Sequence, residues 1–188
     1  MKLILSSRDF RNERSRQVIL DNLPRPIEQC RVLFVPNEVP TRKGKLLKRL
    51  GECGFSRENI YLYDPTRPEA FCDLSLDCIY ISGGNTFAII DKIRRGGLDR
   101  AIERYVKAGV VYIGGSAGVH LVSQNFEHVQ NFDENTVGVA DFNGLGLFDG
   151  IVVCHFGEER KACYEALCAA GNYKVYALTD EESLVFEA

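Results

Sequence analysis

Short apolar runs alternate along this chain with stretches in which apolar residues recur every three to four positions. The first pattern is typical of strands buried on both faces and the second of amphipathic helices. The predicted strands are residues 3–6, 31–36, 60–63, 77–82, 110–113, 150–154 and 174–178. The predicted helices are residues 12–23, 41–53, 85–95, 98–108 and 158–170. This alternation predicts a doubly wound, mostly parallel α/β sheet, and we expect one domain over residues 1–188.

Residues that are common in catalytic sites, namely glycine pairs, a serine and a histidine, follow three of the predicted strands. Gly83 and Gly84 come after one, Gly114 to Ser116 after the next, and His155 after the strand at 150–154. The carboxyl ends of parallel strands meet at one edge of the sheet, where ligands of such folds bind. We therefore expect these segments to form one site, with the irregular stretch 127–146 close to it.

Ser116 is the candidate nucleophile. It lies in Gly114-Gly115-Ser116-Ala117-Gly118, a Gly-x-Ser-x-Gly sequence between a strand and a helical pattern. A serine on such a sharp turn is exposed for attack, and the flanking glycines relieve the crowding. The same residues also fit a tight strand-to-helix turn in which the serine only caps the helix. A base and oxyanion donors at the same edge of the sheet would favour the nucleophile over the cap.

A serine hydroxyl needs a base to take its proton. His155 is the preferred base because it ends a buried strand at the same edge, whereas His120 follows Ser116 on the same helix and His128 lies in a polar stretch. A third group must orient the imidazole. Three carboxylates lie between the serine and the preferred histidine, and spacing alone does not choose among them: Asp133, Glu134 and Asp141.

The backbone N–H groups of Gly84 and Ala117 are the predicted donors to an oxyanion. A glycine at position 84 lets the backbone approach a substrate closely. Asn85 is a candidate helix cap and also a candidate substrate-binding residue, and Arg160 is a candidate partner for a substrate carboxylate.

Composition excludes several other functions. The net charge is −3, so no basic field is available for nucleic acid, and no apolar run is long enough to span a membrane. The seven cysteines include no C-x-x-C pair, which favours reduced thiols over a zinc site or disulfides. No G-x-G-x-x-G follows the first strand, so we expect no dinucleotide and no other cofactor. The N-terminal apolar run is too short for a signal peptide, which favours the cytoplasm.

The chain resembles the dipeptidase E family of serine peptidases, which includes aspartyl dipeptidases and cyanophycinases. Four segments match in order: residues 81–87 (ISGGNTF), 112–118 (YIGGSAG), 144–148 (GLGLF) and 154–156 (CHF). The resemblance implies a class I glutamine amidotransferase-like, flavodoxin-like three-layer sandwich. It also implies Ser116 as nucleophile, His155 as base and, counting back from that histidine, Asp133 as acid. Dipeptidase E has a longer insertion after this histidine, so a preference for N-terminal aspartate is not carried over.

These observations predict a serine hydrolase that cleaves small peptides, acting as a monomer or a homodimer. Two alternatives stay open. An esterase of the α/β-hydrolase type shares the serine turn and the order serine, acid, histidine. A non-catalytic binding protein can also keep the fold, because a fold does not establish an activity.

Overall fold

The computed structural model describes residues 1–37 and 43–187, and its elements follow the predicted alternation. The strands are β1 (Lys2–Ser6), β2 (Val32–Val35), β3 (Ile60–Leu62), β4 (Cys78–Ile81), β5 (Val111–Gly115), β6 (Ile151–Cys154), β7 (Val175–Leu178) and β8 (Ser183–Glu187). The helices are α1 (Glu13–Asp21), α2 (Lys43–Cys53), α3 (Thr86–Arg95), α4 (Leu98–Lys107), α5 (Ala117–Val122) and α6 (Glu158–Ala170). Positions 41 and 42 of the second predicted helix lie outside the described residues.

Six strands form one sheet in the order β3-β2-β4-β5-β1-β8. The first five run parallel, and β8 lies antiparallel beside β1. The prediction of a mostly parallel α/β sheet is confirmed. The sequence did not predict β8, and it did not predict that β6 and β7 pair with each other in a second, two-stranded parallel sheet.

Helices cover the large sheet on both sides, which makes three layers. Alternate strand residues face opposite sides, as the pleat requires. Ile4, Phe34 and Tyr80 pack on the side of α1 and α2, against Ile19 and Leu50. The intervening strand residues pack on the side of α3, α4 and α5. None of the helices in the described residues has the length and apolar composition to cross a membrane.

Two helical glycines are expected to respond in opposite directions to alanine. A Cβ on Gly118 of α5 would lie 2.5 Å from the carbonyl oxygen of Ile81, whereas a Cβ on Gly51 of α2 meets nothing within 4 Å. We expect Gly118→Ala to lower the free energy of unfolding by about 2–3 kcal/mol through overpacking. Gly51→Ala should raise it by up to about 1 kcal/mol through helix propensity. Urea denaturation followed by circular dichroism measures both, and shifts of equal sign would contradict this account.

Candidate active site

The candidate nucleophile lies on a strained turn at the carboxyl edge of the large sheet. Ser116 connects β5 directly to α5 and has φ = 47° and ψ = −99°, outside the regions that L-residues prefer. Such strain persists only when the surroundings hold it in place. The last residue pair of β1 and β5 is Ser6 and Gly115. Ser116 follows it, and its backbone N–H donates to the carbonyl oxygen of Ser6 at 2.9 Å.

The glycines beside Ser116 are needed for close packing. A Cβ on Gly115 would lie 2.3 Å from Oδ2 of the buried Asp9. A Cβ on Gly118 would meet the backbone of β4, as described above. A Cβ on Gly114, the first glycine of Gly-x-Ser-x-Gly, would lie 2.9 Å from Cε1 of Tyr112. Both glycines of the pattern, and Gly115 between them, are therefore required by close contacts.

Ser116, His155 and Asp180 form a continuous chain of hydrogen bonds. The Ser116 hydroxyl donates to Nε2 of His155 at 2.9 Å. Nδ1–H of the same imidazole donates to Oδ1 of Asp180 at 2.6 Å. His155 follows β6 and Asp180 follows β7, so the second sheet supplies both partners of the serine. This order of nucleophile, imidazole and carboxylate is the arrangement that activates a serine for acyl transfer.

The Asp180 carboxylate is held in its charged form. Burial raises its pKa, but the hydrogen bond and charge of His155, together with the charge of Arg8, outweigh burial and lower the pKa below its usual range. Arg8 Nε lies 2.7 Å from Oδ2, the oxygen that His155 does not use. An ionised carboxylate at this position can fix the imidazole tautomer and stabilise its cation.

The assignment of the acid to Asp133 does not match this geometry. Asp133 Oδ2 instead accepts the backbone N–H of Thr86 at 2.8 Å, at the start of α3. Neither alternative is paired with His155 either. Asp141 Oδ1 accepts the N–H of Asn143, and the hydrogen bond of His155 Nδ1 goes to Asp180 rather than to Glu134. The carboxylate beside His155 is Asp180.

Asn85 lies beside the site, but its side chain is occupied by backbone groups. Its Oδ1 caps α3 by accepting the N–H of Ala88 at 2.9 Å, and its Nδ2 donates to the carbonyl of Glu134 at 2.9 Å. It does not line the cavity next to Ser116. The interpretation as a helix cap is therefore the one that the contacts support.

A cavity of about 190 Å³ opens in front of Ser116 and His155. Its lining combines cationic, anionic and apolar groups: Arg11, Gly83, Gly84, Thr86, Ser116, His120, Val129, Phe132, Asp133, His155 and Arg160. The Arg160 guanidinium lies 4.0 Å from the ring centroid of Phe132 and donates to the carbonyl of Cys154. Since the irregular stretch 127–146 supplies three lining residues, it lies at the site as expected.

A larger groove of about 400 Å³ lies between the turn at Glu127–Asn131 and α6, and contains none of the three hydrogen-bonded residues. The smaller cavity is the candidate site of the chemistry because Ser116, the candidate nucleophile, lines it. Among residues 1–37 and 43–187, no cluster of His, Cys, Asp and Glu side chains is arranged to hold a metal ion.

The other two histidines are buried and neutral. His120 lines the cavity, and its Nδ1 is buried without a hydrogen-bond partner. Nε2–H of His128 donates to the carbonyl of Val152 at 3.1 Å. Burial lowers the pKa of His128 to about 4 and that of His120 well below its ordinary value. Neither ring hydrogen-bonds to Ser116, which leaves His155 as the imidazole in position to act as base.

His128 is expected to make the protein sensitive to acid. Its folded pKa of about 4 lies below the unfolded value of about 6.5, so its stabilisation is complete above pH 6.5 and is lost as pH falls toward 4. Between pH 7 and pH 5 this amounts to about 2 kcal/mol. When the pH is lowered from 7 to 5, the free energy of unfolding, measured in urea, should fall in both proteins. We expect the fall in His128→Gln to be smaller than that in the wild type by about 2 kcal/mol. Parallel pH profiles would contradict the prediction.

Sequence reasoning missed Asp180, although a usable signal was present. Residues 174–178 were predicted as a strand, and Thr179 and Asp180 follow its carboxyl end. The same rule that selected His155 after 150–154 would have selected this aspartate. Ser7, Arg8 and Arg11, which follow the first strand, were missed for the same reason.

Comparison with known proteins finds peptidases among the relatives of this chain. The model of the family described as peptidase family S51 matches residues 3–188. An uncharacterized peptidase of Listeria monocytogenes is 30% identical over 113 residues, which cover 57% of this chain and 55% of that protein. The peptidase E of Salmonella arizonae is 36% identical over 80 residues, covering 43% of this chain and 34% of that protein. The matched region thus spans about half or less of these curated relatives.

The fold has a close match among solved structures. The crystal structure of a candidate peptidase E protein from Listeria monocytogenes EGD-e superposes with a TM-score of 0.74 at 23% identity. The superposition covers 98% of this chain and 93% of that chain. At this identity, the likeness shows the fold.

Proposed function

The chain belongs to peptidase family S51, and we propose that it is a serine peptidase that cleaves small peptides through an acyl-enzyme. The family membership confirms the resemblance noted in the sequence. The observation that carries the proposal is the hydrogen-bonded chain from Ser116 through His155 to Asp180. That chain supplies the activated nucleophile that a serine peptidase requires.

The reaction proceeds in two steps. Ser116 Oγ attacks the scissile carbonyl carbon while its proton passes to Nε2 of His155. The imidazolium then gives this proton to the leaving amine as the C–N bond breaks, which leaves the acyl-enzyme. In the second step a water molecule loses a proton to His155 and attacks the ester carbonyl. The acyl C–Oγ bond then breaks, the imidazolium returns the proton to Ser116 Oγ, and the carboxylic acid product leaves. Asp180 holds Nδ1–H throughout and stabilises the imidazolium.

The N–H groups of Gly84 and Ala117 stabilise the oxyanion. Gly84 has φ = 150°, and its N–H has no acceptor among the described residues. The N–H of Ala117 begins α5, where no intrahelical acceptor exists. Two free donors beside the nucleophile support this assignment, because they are available without reorganisation when negative charge develops.

Arg160 binds an anionic group of the substrate, and Arg11 assists it. Both residues line the cavity, and each guanidinium is held by a hydrogen bond, Arg160 to the carbonyl of Cys154 and Arg11 to Oδ1 of Asp9. The volume of about 190 Å³ is below the roughly 300–1,000 Å³ of pockets for drug-sized ligands, which supports a small peptide. The seven free cysteines are in keeping with action in the cytoplasm.

Labelling with a serine-directed phosphonate, followed by peptide mass mapping, tests the nucleophile. A panel of Asp-X and other dipeptides, with mass detection of products, tests the reaction, and a parallel series of esters tests the esterase alternative. We expect an adduct on Ser116 and faster turnover of dipeptides than of esters. A wild-type protein that is not labelled and turns over neither series would contradict the proposal and support a binding protein.

A further inference from the structure

The three hydrogen-bonded residues of the active site are divided between two sheets. Ser116 follows β5 of the large sheet, whereas His155 and Asp180 follow β6 and β7 of the small one. The distance between nucleophile and base therefore depends on how the two sheets are joined at this edge. The short segment 6–8, where the chain leaves β1, lies at that junction.

Each residue of segment 6–8 contacts a different member of the active site. The carbonyl of Ser6 accepts the N–H of Ser116 at 2.9 Å. Ser7 Oγ accepts the N–H of His155 at 2.9 Å. Arg8 Nε lies 2.7 Å from Asp180 Oδ2. One continuous stretch of chain thus reaches the nucleophile, the base and the acid.

The Ser7 hydroxyl links the two sheets. Ser7 is fully buried, and besides accepting from His155 it donates to the carbonyl of Leu178, the last residue of β7, at 2.8 Å. His155 has φ = 52°, a left-handed conformation that an L-residue seldom adopts. The hydroxyl holds the backbone in that conformation, and the backbone sets the direction of the imidazole toward Ser116.

Arg8 fixes the carboxylate in the same way. Asp180 Oδ1 accepts the hydrogen bond from His155 Nδ1, and Asp180 Oδ2 forms the ion pair with Arg8. Because both oxygens have a partner, rotation of the carboxylate would break at least one of these contacts. The Arg8 side chain is 56% exposed, so salt screens this pair more than it screens the buried contacts of Ser7.

We propose that Ser7 and Arg8 are positioning residues of the hydrolytic site, Ser7 through the backbone of His155 and Arg8 through the carboxylate of Asp180. The inference rests on the proposed function. Neither residue lines the cavity, and neither has been given a part in the reaction steps above. Their removal should therefore change kcat and leave KM nearly unaltered.

Ser7→Ala tests the first half, with Ser123→Ala as the matched control. Ser123 is also fully buried, and its hydroxyl donates to the carbonyl of Val119 at 3.0 Å without touching the three hydrogen-bonded residues. A displacement of about 1 Å costs on the order of 10²-fold in rate. We expect kcat of Ser7→Ala to fall about 10- to 100-fold with KM within about two-fold. The downfield NMR signal of the His155 Nδ1 proton should shift or broaden in Ser7→Ala only.

Arg8→Met tests the second half, with Arg14→Met as the control. Arg14 pairs at 2.7 Å with Glu181, the residue next to Asp180, and its side chain is also exposed, but this ion pair includes none of the three hydrogen-bonded residues. We expect kcat of Arg8→Met to fall about 3- to 10-fold at low salt, and the difference from wild type to shrink in high salt. If Ser7→Ala does not fold, Ser7→Cys takes its place, since a thiol is nearly the same size but a weaker hydrogen-bonding group; kcat should again fall with KM within about two-fold.

The outcomes separate this inference from the proposed function. If Ser116 is labelled in the wild type, but a folded Ser7→Ala or Arg8→Met keeps the wild-type kcat and NMR signal, the positioning role of that residue is wrong. If Ser116 is not labelled in the wild type, the proposed function fails instead.

Discussion

Replacing Ser116 by alanine is expected to lower kcat for dipeptide hydrolysis by about 10⁵- to 10⁶-fold. In the proposed reaction the Ser116 hydroxyl forms the acyl-enzyme, and no other hydroxyl hydrogen-bonds to His155 Nε2 among the described residues. The oxyanion donors and the cavity remain in the variant, so a small rate above the uncatalysed reaction should persist. KM should change little, since the Ser116 hydroxyl contributes mainly to the transition state.

Initial rates measured with the most active dipeptide of the panel provide this comparison. Ser123→Ala serves again as the control, because it also removes one serine hydroxyl from the region of α5. Urea denaturation should show similar free energies of unfolding for wild type and Ser116→Ala, as alanine occupies the same turn. If Ser116→Ala kept more than a tenth of the wild-type kcat, the nucleophile would have to be another residue.

The serine and the histidine could be predicted because each is marked by a local pattern. A glycine-flanked serine after an apolar strand needs only neighbouring residues to be recognised. His155 needed one further step, the rule that polar residues after parallel strands gather at one edge. The helices were predictable for a similar reason, since capping residues such as Asn12 and Asn85 mark where they begin.

The partner of His155 could not be found by distance along the chain. Leu178 pairs with Cys154 in the β6–β7 register, so Asp180 and His155 both extend just beyond the same sheet edge. The rule that polar residues gather after parallel strands places Asp180 at this edge. The pairing of β6 with β7, which brings it to His155 across 25 residues, is a tertiary contact that no local pattern encodes. Asp133 is close to the site as well, but it is directed toward the first turn of α3.

The division into two sheets was also beyond the sequence. The apolar runs of β6 and β7 have the same character as those of the large sheet, so pattern alone predicts one continuous sheet. Likewise β8 is an antiparallel partner of β1, with Leu184 opposite Leu5, and its pairing is set by tertiary contacts. The strand-end rule places Ser7 and Arg8 at the same edge, but their contacts with the second sheet depend on how the two sheets are joined, which the sequence pattern does not predict.

Asp180→Asn is expected to lower kcat by about 10⁴-fold while leaving the protein folded. An asparagine can place its amide N–H toward Nδ1 of His155, which moves the ring proton to Nε2. Nε2 then faces the Ser116 hydroxyl as a donor and cannot take its proton. The loss should appear in kcat at all pH values where the wild type is active. Its cause is the position of the proton on the His155 ring, which a change of pH does not correct.

Asp133→Asn is the matched control, since it makes the same change of carboxylate to amide in a residue that lines the cavity in front of Ser116. Its side-chain oxygen can still accept the N–H of Thr86, so α3 keeps its first turn. We expect kcat to stay within about ten-fold of the wild type, with any larger change confined to KM, as this side chain lines the cavity. Steady-state kinetics of both variants over pH 5–9, with the downfield proton signal of His155 recorded alongside, makes the comparison. If Asp133→Asn loses more kcat than Asp180→Asn, the acid is Asp133 and the assignment to Asp180 is wrong.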